Sequence, residues 1–152
     1  MSGRRRLWYS GHSKTHVAKV QVLCDRHGLI HAVSQTYVGS GHDKAVWNDE
    51  FHRLPVRCTV IADKAYAGGL GEGERLFRPI RRNVTAWRND PEGSRSFNAA
   101  LSKRRVRIEH VFARLKTWRI IHHFYPMRPE SYATTVRAIA DINNSQINSK
   151  LM

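Results

Sequence analysis

Two carboxylates hold the chemistry that can be read from this chain. Asp63 closes the short apolar run Cys58–Ala62 (CTVIA), the pattern of a strand buried on both faces. Proteins of the α/β class place binding and catalytic groups at the carboxyl ends of such strands. A turn-forming or helix-capping aspartate ahead of Lys64-Ala65-Tyr66 fits the same position. Glu109 lies in the middle of a long helical stretch. At about 100° per residue, Arg105, Glu109, Phe112 and Lys116 share one narrow stripe. Phe97, Leu101, Ile108, Val111 and Leu115 form the neighbouring core stripe. Glu109 then sits on the shoulder of the buried face. It is either a surface partner of Arg105, worth a few tenths of a kcal/mol, or a carboxylate aimed into a cleft, with Arg105 and Lys116 free to meet phosphates.

The surrounding charge favours a polyanion. The 152 residues hold 26 Lys and Arg against 12 Asp and Glu, a formal net charge of +14. Arg4–Arg6 form one cluster, Arg78, Arg81, Arg82 and Arg88 a second, and Lys103, Arg104, Arg105 and Arg107 a third. Arg114, Lys116 and Arg119 follow just beyond. Clusters of this kind bind nucleic acid with an affinity that falls steeply with salt, although each alone also suits a solvated basic face. At 41% hydrophobic and 25% charged, the composition is that of a globular domain. No apolar run reaches the roughly 20 residues of a membrane helix. Two cysteines, Cys24 and Cys58, make neither a disulfide framework nor a four-ligand zinc site, so a reducing, cytoplasmic setting is expected. The histidines, including His12/His16 and His122-His123, lack zinc spacing. Gly68–Gly73 lacks the Lys-Ser/Thr of a phosphate-binding loop.

Around the two acids the sequence predicts a mixed α/β layer fold. His16–Cys24 (HVAKVQVLC) and Leu29–Tyr37 are read as a hairpin about the turn Asp25-Arg26-His27-Gly28. Asp43–Leu54 is read as a helix stopped by Pro55, and Leu76–Ile80 as a brief strand inside a loop-rich stretch, Ala67–Gly93. Ser96–Ile121 and Glu130–Lys150 are read as long helices. The second would cover the sheet with Val136, Ile139, Ala140, Asn143 and Ile147. Trp87, Trp118 and Tyr66 could stack on unpaired bases or simply pack.

The ordered segments YSGHSKTHVAKVQVLCDRHGLI, GSGHD and VIADKAY, followed by R-x3-E-x6-K in a helix, resemble the catalytic domain of insertion-sequence transposases of the DDE superfamily. They are most similar to the endonuclease group shared with Harbinger-type elements. The resemblance runs from about Tyr9 to the end. It implies a ribonuclease H-like mixed sheet flanked by helices. It also implies three carboxylates holding two divalent cations, usually Mg²⁺, which hydrolyse a phosphodiester and join the freed 3′ end to target DNA. Carried over residue by residue, Asp63 of the A-D-K-A-Y motif is the second carboxylate and Glu109 the last. Arg105 and Lys116 match the cations of the helix signature Y-x2-R-x3-E-x6-K, where Ser102 stands in place of Tyr. With Lys103 and Arg104 they are the expected DNA contacts.

The family's first Asp lies on a strand ahead of the Y-S-G segment, and Met1–Trp8 (MSGRRRLW) contains no acid. Asp25 falls in the hairpin turn, and Asp43 fits a helix start. Residues 1–8 are accordingly read as a basic stub and 9–152 as a partial catalytic domain without its first central strand. The expected consequence is an isolated chain that is poorly stable or lacks nuclease activity. The partners to expect are transposon-end and target DNA, an upstream transposase fragment or a second copy of the chain, and no membrane. The rival reading is a non-catalytic, basic, nucleic-acid-binding remnant.

Overall fold

A computed structural model describes residues 9–10, 15–38, 43–50, 58–63, 66, 75–122 and 128–151. Within them the chain is mixed α/β. Strands β1 (Tyr9–Ser10) and β2 (Thr15–His16) pair antiparallel. β3 (Ala18–Lys19) and β4 (Val22–Cys24) run out and return as β5 (Ile30–Val33) and β6 (Tyr37–Val38), with β4 on β5 and β3 on β6. The expected hairpin is present, interrupted at one rung. There the Ser34 hydroxyl takes the Gln21 N–H at 2.9 Å while the Ser34 N–H donates to the Gln21 carbonyl at 3.0 Å. Ser34 is fully buried, so its hydroxyl stands in for a ladder carbonyl that the buried rung would otherwise lack.

The hairpin turn follows from its residue types. Asp25 Oδ1 accepts the N–H groups of His27 and Leu29 at 2.8 and 3.0 Å, and Gly28 takes φ +84°, the left-handed region that favours glycine. Space is short there too: a Cβ on Gly28 would lie 2.8 Å from Arg114 Nη2.

Beyond the hairpin come α1 (Asp43–Glu50) and then β7 (Thr59–Ile61), which pairs in parallel with β8 (Arg75–Phe77). The proposed end of the first helix, Phe51–Leu54, lies outside the described residues, as do Gly68–Gly73, Arg4–Arg6, His12 and His123. β7 is less enclosed than its apolar run suggests. Thr59 is exposed and Val60 and Ile61 are only half-buried, because β8 is its one strand neighbour among the described residues. The described strands form four two-stranded sheets rather than one continuous mixed sheet.

The stretch read as loop to Gly93 is partly helical. α2 spans Thr85–Asn89, and α3 spans Pro91–Lys116, starting five residues before the expected Ser96. Asp90 caps α3 by accepting the Gly93 N–H at 2.8 Å, and Pro91 occupies the first turn, where a missing N–H costs nothing. That start signal outweighs the helix-weakening Gly93. At the other end the Thr117 hydroxyl bonds the Arg114 carbonyl at 2.7 Å. A short α4 (Arg119–His122) follows, then a 3₁₀ turn (Pro129–Ser131) and α5 (Tyr132–Leu151). Among the described residues no helix is long and apolar enough to cross a membrane.

The core is the seam between α3, α5 and the hairpin: Val111, Leu115, Ile139, Ala140 and Ile30, with Val22, Cys24, Val33, Ile108, Ile120 and Ile121 packed around them. On α5, Val136, Ile139, Ala140 and Asn143 are buried as expected, whereas Ile147, toward the helix end, is only half-buried. Two asparagines bond backbone on sides where, among the described residues, no strand pairs. Asn144 on α5 accepts the Ile30 N–H and donates to the Ile30 carbonyl, both at 2.8 Å. Asn98 on α3 does the same for Ile80, at 2.8 and 3.0 Å. Each amide replaces one peptide unit of a missing neighbour.

Leu115→Ala is expected to destabilise the chain by about 3 kcal/mol, since it removes a buried side chain from this seam. Gly28→Ala is expected to cost on the order of 1–2 kcal/mol through its left-handed backbone. Equilibrium urea unfolding of both variants measures these losses.

Candidate metal and nucleic-acid site

Asp63 lies two residues past β7, where the strand hands over to a tight turn closed by the Tyr66 N–H on the Asp63 carbonyl at 3.2 Å. β7 packs against α3, and this brings the strand end to the helix signature. Arg105 Nη2 stands 3.3 Å from Asp63 Oδ2, with the carboxylate side chain 56% exposed and the arginine 24% exposed. A pair this open to solvent contributes well under 1 kcal/mol of stability, so its value is positional. Glu109 follows Arg105 by one turn, about 6 Å along the axis. It is exposed and forms no ion pair among the described residues. The shoulder position expected for it is therefore open to solvent, with Lys103, Arg104 and Lys116 also exposed.

The structure joins Asp63 to the Arg105 stripe directly and sets Glu109 one turn further on. Among the described residues no three His, Cys, Asp or Glu side chains converge as a metal cage. Two exposed carboxylates can hold a hard cation that keeps most of its waters, the habit of Mg²⁺, but cannot close a full set of protein ligands.

A third acid approaches Tyr66 by a route that spacing could not reveal. Asp43 is the first residue of α1, as a helix start should be, and its Oδ1 meets Lys19 Nζ at 3.0 Å. The Gln21 side-chain amide donates to the Asp43 carbonyl. Across from it, the ring of Tyr66 meets Trp47 edge-on, with centroids 6.1 Å apart and planes at 87°. Burial, reinforced by the negative charges of Asp43 and Asp63, pushes the Tyr66 phenol up to about 12. Tyr37 is likewise pushed up to about 12, first by burial and then by Glu50 and Asp49. Its hydroxyl reaches Glu50 Oε1 at 3.2 Å and Asp49 Oδ2 at 3.4 Å. A local signal for this grouping existed only in part. The Asp43-x3-Trp47 spacing puts both residues on one helix face, but the approach of Tyr66 is tertiary.

The second basic cluster is arranged around an aromatic. The Arg82 guanidinium lies 5.7 Å from the Trp87 ring centroid, with Arg81 and Arg88 exposed beside it. Trp118 is exposed past the end of α3.

The two raised phenols set an alkaline limit. Each would ionise near pH 10 in the unfolded chain and only near 12 in the folded one. The unfolded state then binds fewer protons in that window, and stability falls as pH rises through it. Urea midpoints measured from pH 9 to 12 are expected to decline, and the combined Tyr37→Phe and Tyr66→Phe changes are expected to flatten that decline.

Residues 2–144 match the family described as DDE superfamily endonuclease. The chain is 26% identical over 158 residues to the probable transposase for insertion sequence element IS702 of Microchaete diplosiphon, covering 96% of this chain and 52% of that protein. It is 32% identical over 94 residues to the transposase provisionally named for insertion sequence element IS112 in Streptomyces albus G, covering 61% of this chain and 34% of that protein. The chain thus spans about half or less of the length of these curated relatives. No solved structure matches significantly. With residues 2–144 of its 152 matched to that family, the chain belongs to the DDE superfamily endonucleases.

Proposed function

We propose that this chain forms the Asp63–Glu109 part of a ribonuclease H-like transposase core, cutting DNA strands and transferring them to a target. The observation that carries the reading is the 3.3 Å contact between Arg105 and Asp63. It sets the A-D-K-A-Y strand end beside the helix that bears Glu109.

Asp63 and Glu109 are the proposed ligands of divalent cations, Mg²⁺ by resemblance to the family, and their exposed oxygens are the hard donors that such ions take. When bound, the ions supply activation of the attacking oxygen and stabilisation of the leaving one in an in-line displacement. Arg105 balances Asp63 at 3.3 Å, and a cation held by Asp63 would leave the guanidinium available to a DNA phosphate. Lys103, Arg104 and Lys116, exposed along the same helix, hold the strand by its backbone, a sequence-independent grip. No acid of this sequence matches the family's first Asp. We therefore assign full activity to residues 9–152 acting with a separate transposase fragment that supplies the third carboxylate. Residues 1–8 then serve as a basic lead-in.

Two measurements test the reading. Calorimetric titration with Mg²⁺ in the presence of transposon-end DNA is expected to show binding weakened at least roughly tenfold by Asp63→Ala or Glu109→Ala. Metal and DNA binding indifferent to both changes would leave a basic nucleic-acid binder without metal chemistry. Separately, Lys103→Ala, Arg104→Ala and Lys116→Ala are each expected to lower the log–log salt slope of duplex binding by about 0.9.

A further inference from the structure

We infer that Tyr66 is a positioning residue for Asp63, latching the turn that bears this carboxylate onto α1. The inference rests on the metal-binding reading of Asp63 given above.

Asp63 stands outside any regular element, on a turn whose side chain is more than half exposed. Mg²⁺ demands nearly ideal octahedral placement of its oxygens, so the position of this exposed carboxylate matters. Beside the Arg105 contact, Tyr66 restrains the turn that bears it from three sides. Its N–H donates to the Asp63 carbonyl at 3.2 Å, which closes the turn. Its own carbonyl accepts Arg78 Nη1 at 3.0 Å, and Arg78 directly follows β8, the parallel partner of β7. The turn is thereby tied back to the strand pair from which Asp63 emerges.

The third restraint reaches a different element. The Tyr66 ring meets the edge of Trp47, and Trp47 is 3% exposed, so the ring rests on a side chain that cannot swing away. An edge-to-face pair of this kind is worth about 0.5–1.5 kcal/mol beyond its burial. Trp47 lies one turn after Asp43 on α1, and α1 is tied to the hairpin through Asp43 to Lys19 and Gln21. The latch therefore refers the position of Asp63 to the hairpin as well as to α3. The Tyr66 hydroxyl forms no hydrogen bond among the described residues, so the ring rather than the hydroxyl does the holding. Alanine should then release the latch and phenylalanine should keep it.

The test is Mn²⁺ binding by the full chain, read from the paramagnetic resonance of the free ion, with circular dichroism and metal-free DNA binding measured alongside. Tyr66→Ala is expected to weaken Mn²⁺ binding roughly tenfold, the usual scale for loss of a ligand's support, while helix content and metal-free DNA binding stay unchanged. Tyr66→Phe is expected to bind Mn²⁺ as the unaltered chain does. Wild-type affinity in Tyr66→Ala overturns the inference, and so does a Tyr66→Phe variant as weak as Tyr66→Ala. If Tyr66→Ala loses its helical signal, Tyr66→Leu takes its place, filling much of the volume without an aromatic edge, and wild-type affinity in that variant overturns the inference equally. Asp63→Asn separates the two layers of the argument. Mn²⁺ uptake unaffected by Asp63→Asn removes the metal reading itself, whereas loss there with no loss in Tyr66→Ala removes only the role of Tyr66.

Discussion

Burial of Val111 and Leu115 sets the rotation of α3 about its axis, and the rest of the candidate site depends on that rotation. The two residues are four apart on one face, pressed against the hairpin and α5. With that face turned inward, geometry leaves Arg105, Glu109 and Lys116 on a stripe about 100° wide or less to one side. The end of β7 meets this stripe at Arg105. A helix turned by even one residue would carry Arg105 away from Asp63 and separate the two motifs that define the site. The apolar seam is thus the structural cause of the ionic contact, which by itself is too exposed to organise anything.

Side chains take over where strands lack neighbours. The described strands pair only two by two, and such small sheets leave backbone groups to be satisfied elsewhere. Asn98 and Asn144 each complete both hydrogen bonds of one isoleucine, and Arg137 donates to the carbonyls of Val33 and Ser34 at 3.0–3.3 Å. These helices do more than cover the strands with apolar surface; they also supply polar groups in place of strand edges. Because Asn98 and Leu101 share α3, the same helix anchors the chain after β8, packs against β7 and presents the basic stripe.

Legibility in the sequence followed the range of the interaction. The hairpin about Asp25–Gly28 was readable because Asx bonding and a left-handed glycine are local. The buried faces of α3 and α5 were readable because 3.6-residue periodicity is local. α3 begins five residues ahead of the expected Ser96, because an Asp90 cap and a first-turn Pro91 start a helix before its buried face begins. The full burial expected for Cys58–Ala62 failed for another reason. An apolar run reports what a strand can tolerate, and Thr59 is exposed where, among the described residues, only one strand lies beside β7.

For the site, the residue types and order of A-D-K-A-Y and R-x3-E-x6-K were enough to single out Asp63, Arg105, Glu109 and Lys116, since family motifs are strings of neighbours along the chain. Those strings contain no information on which charge touches which. That Arg105 rather than another cation reaches Asp63, that Asp43 and Trp47 come round to Tyr66 from a helix some twenty residues away, and that Glu109 stands open to solvent were decided by tertiary packing. The physical reason is one of scale. Hydrophobic periodicity and turn chemistry act over a few residues, and so are determined by the sequence itself, whereas the distance between two carboxylates depends on how far each element is pulled into a common core.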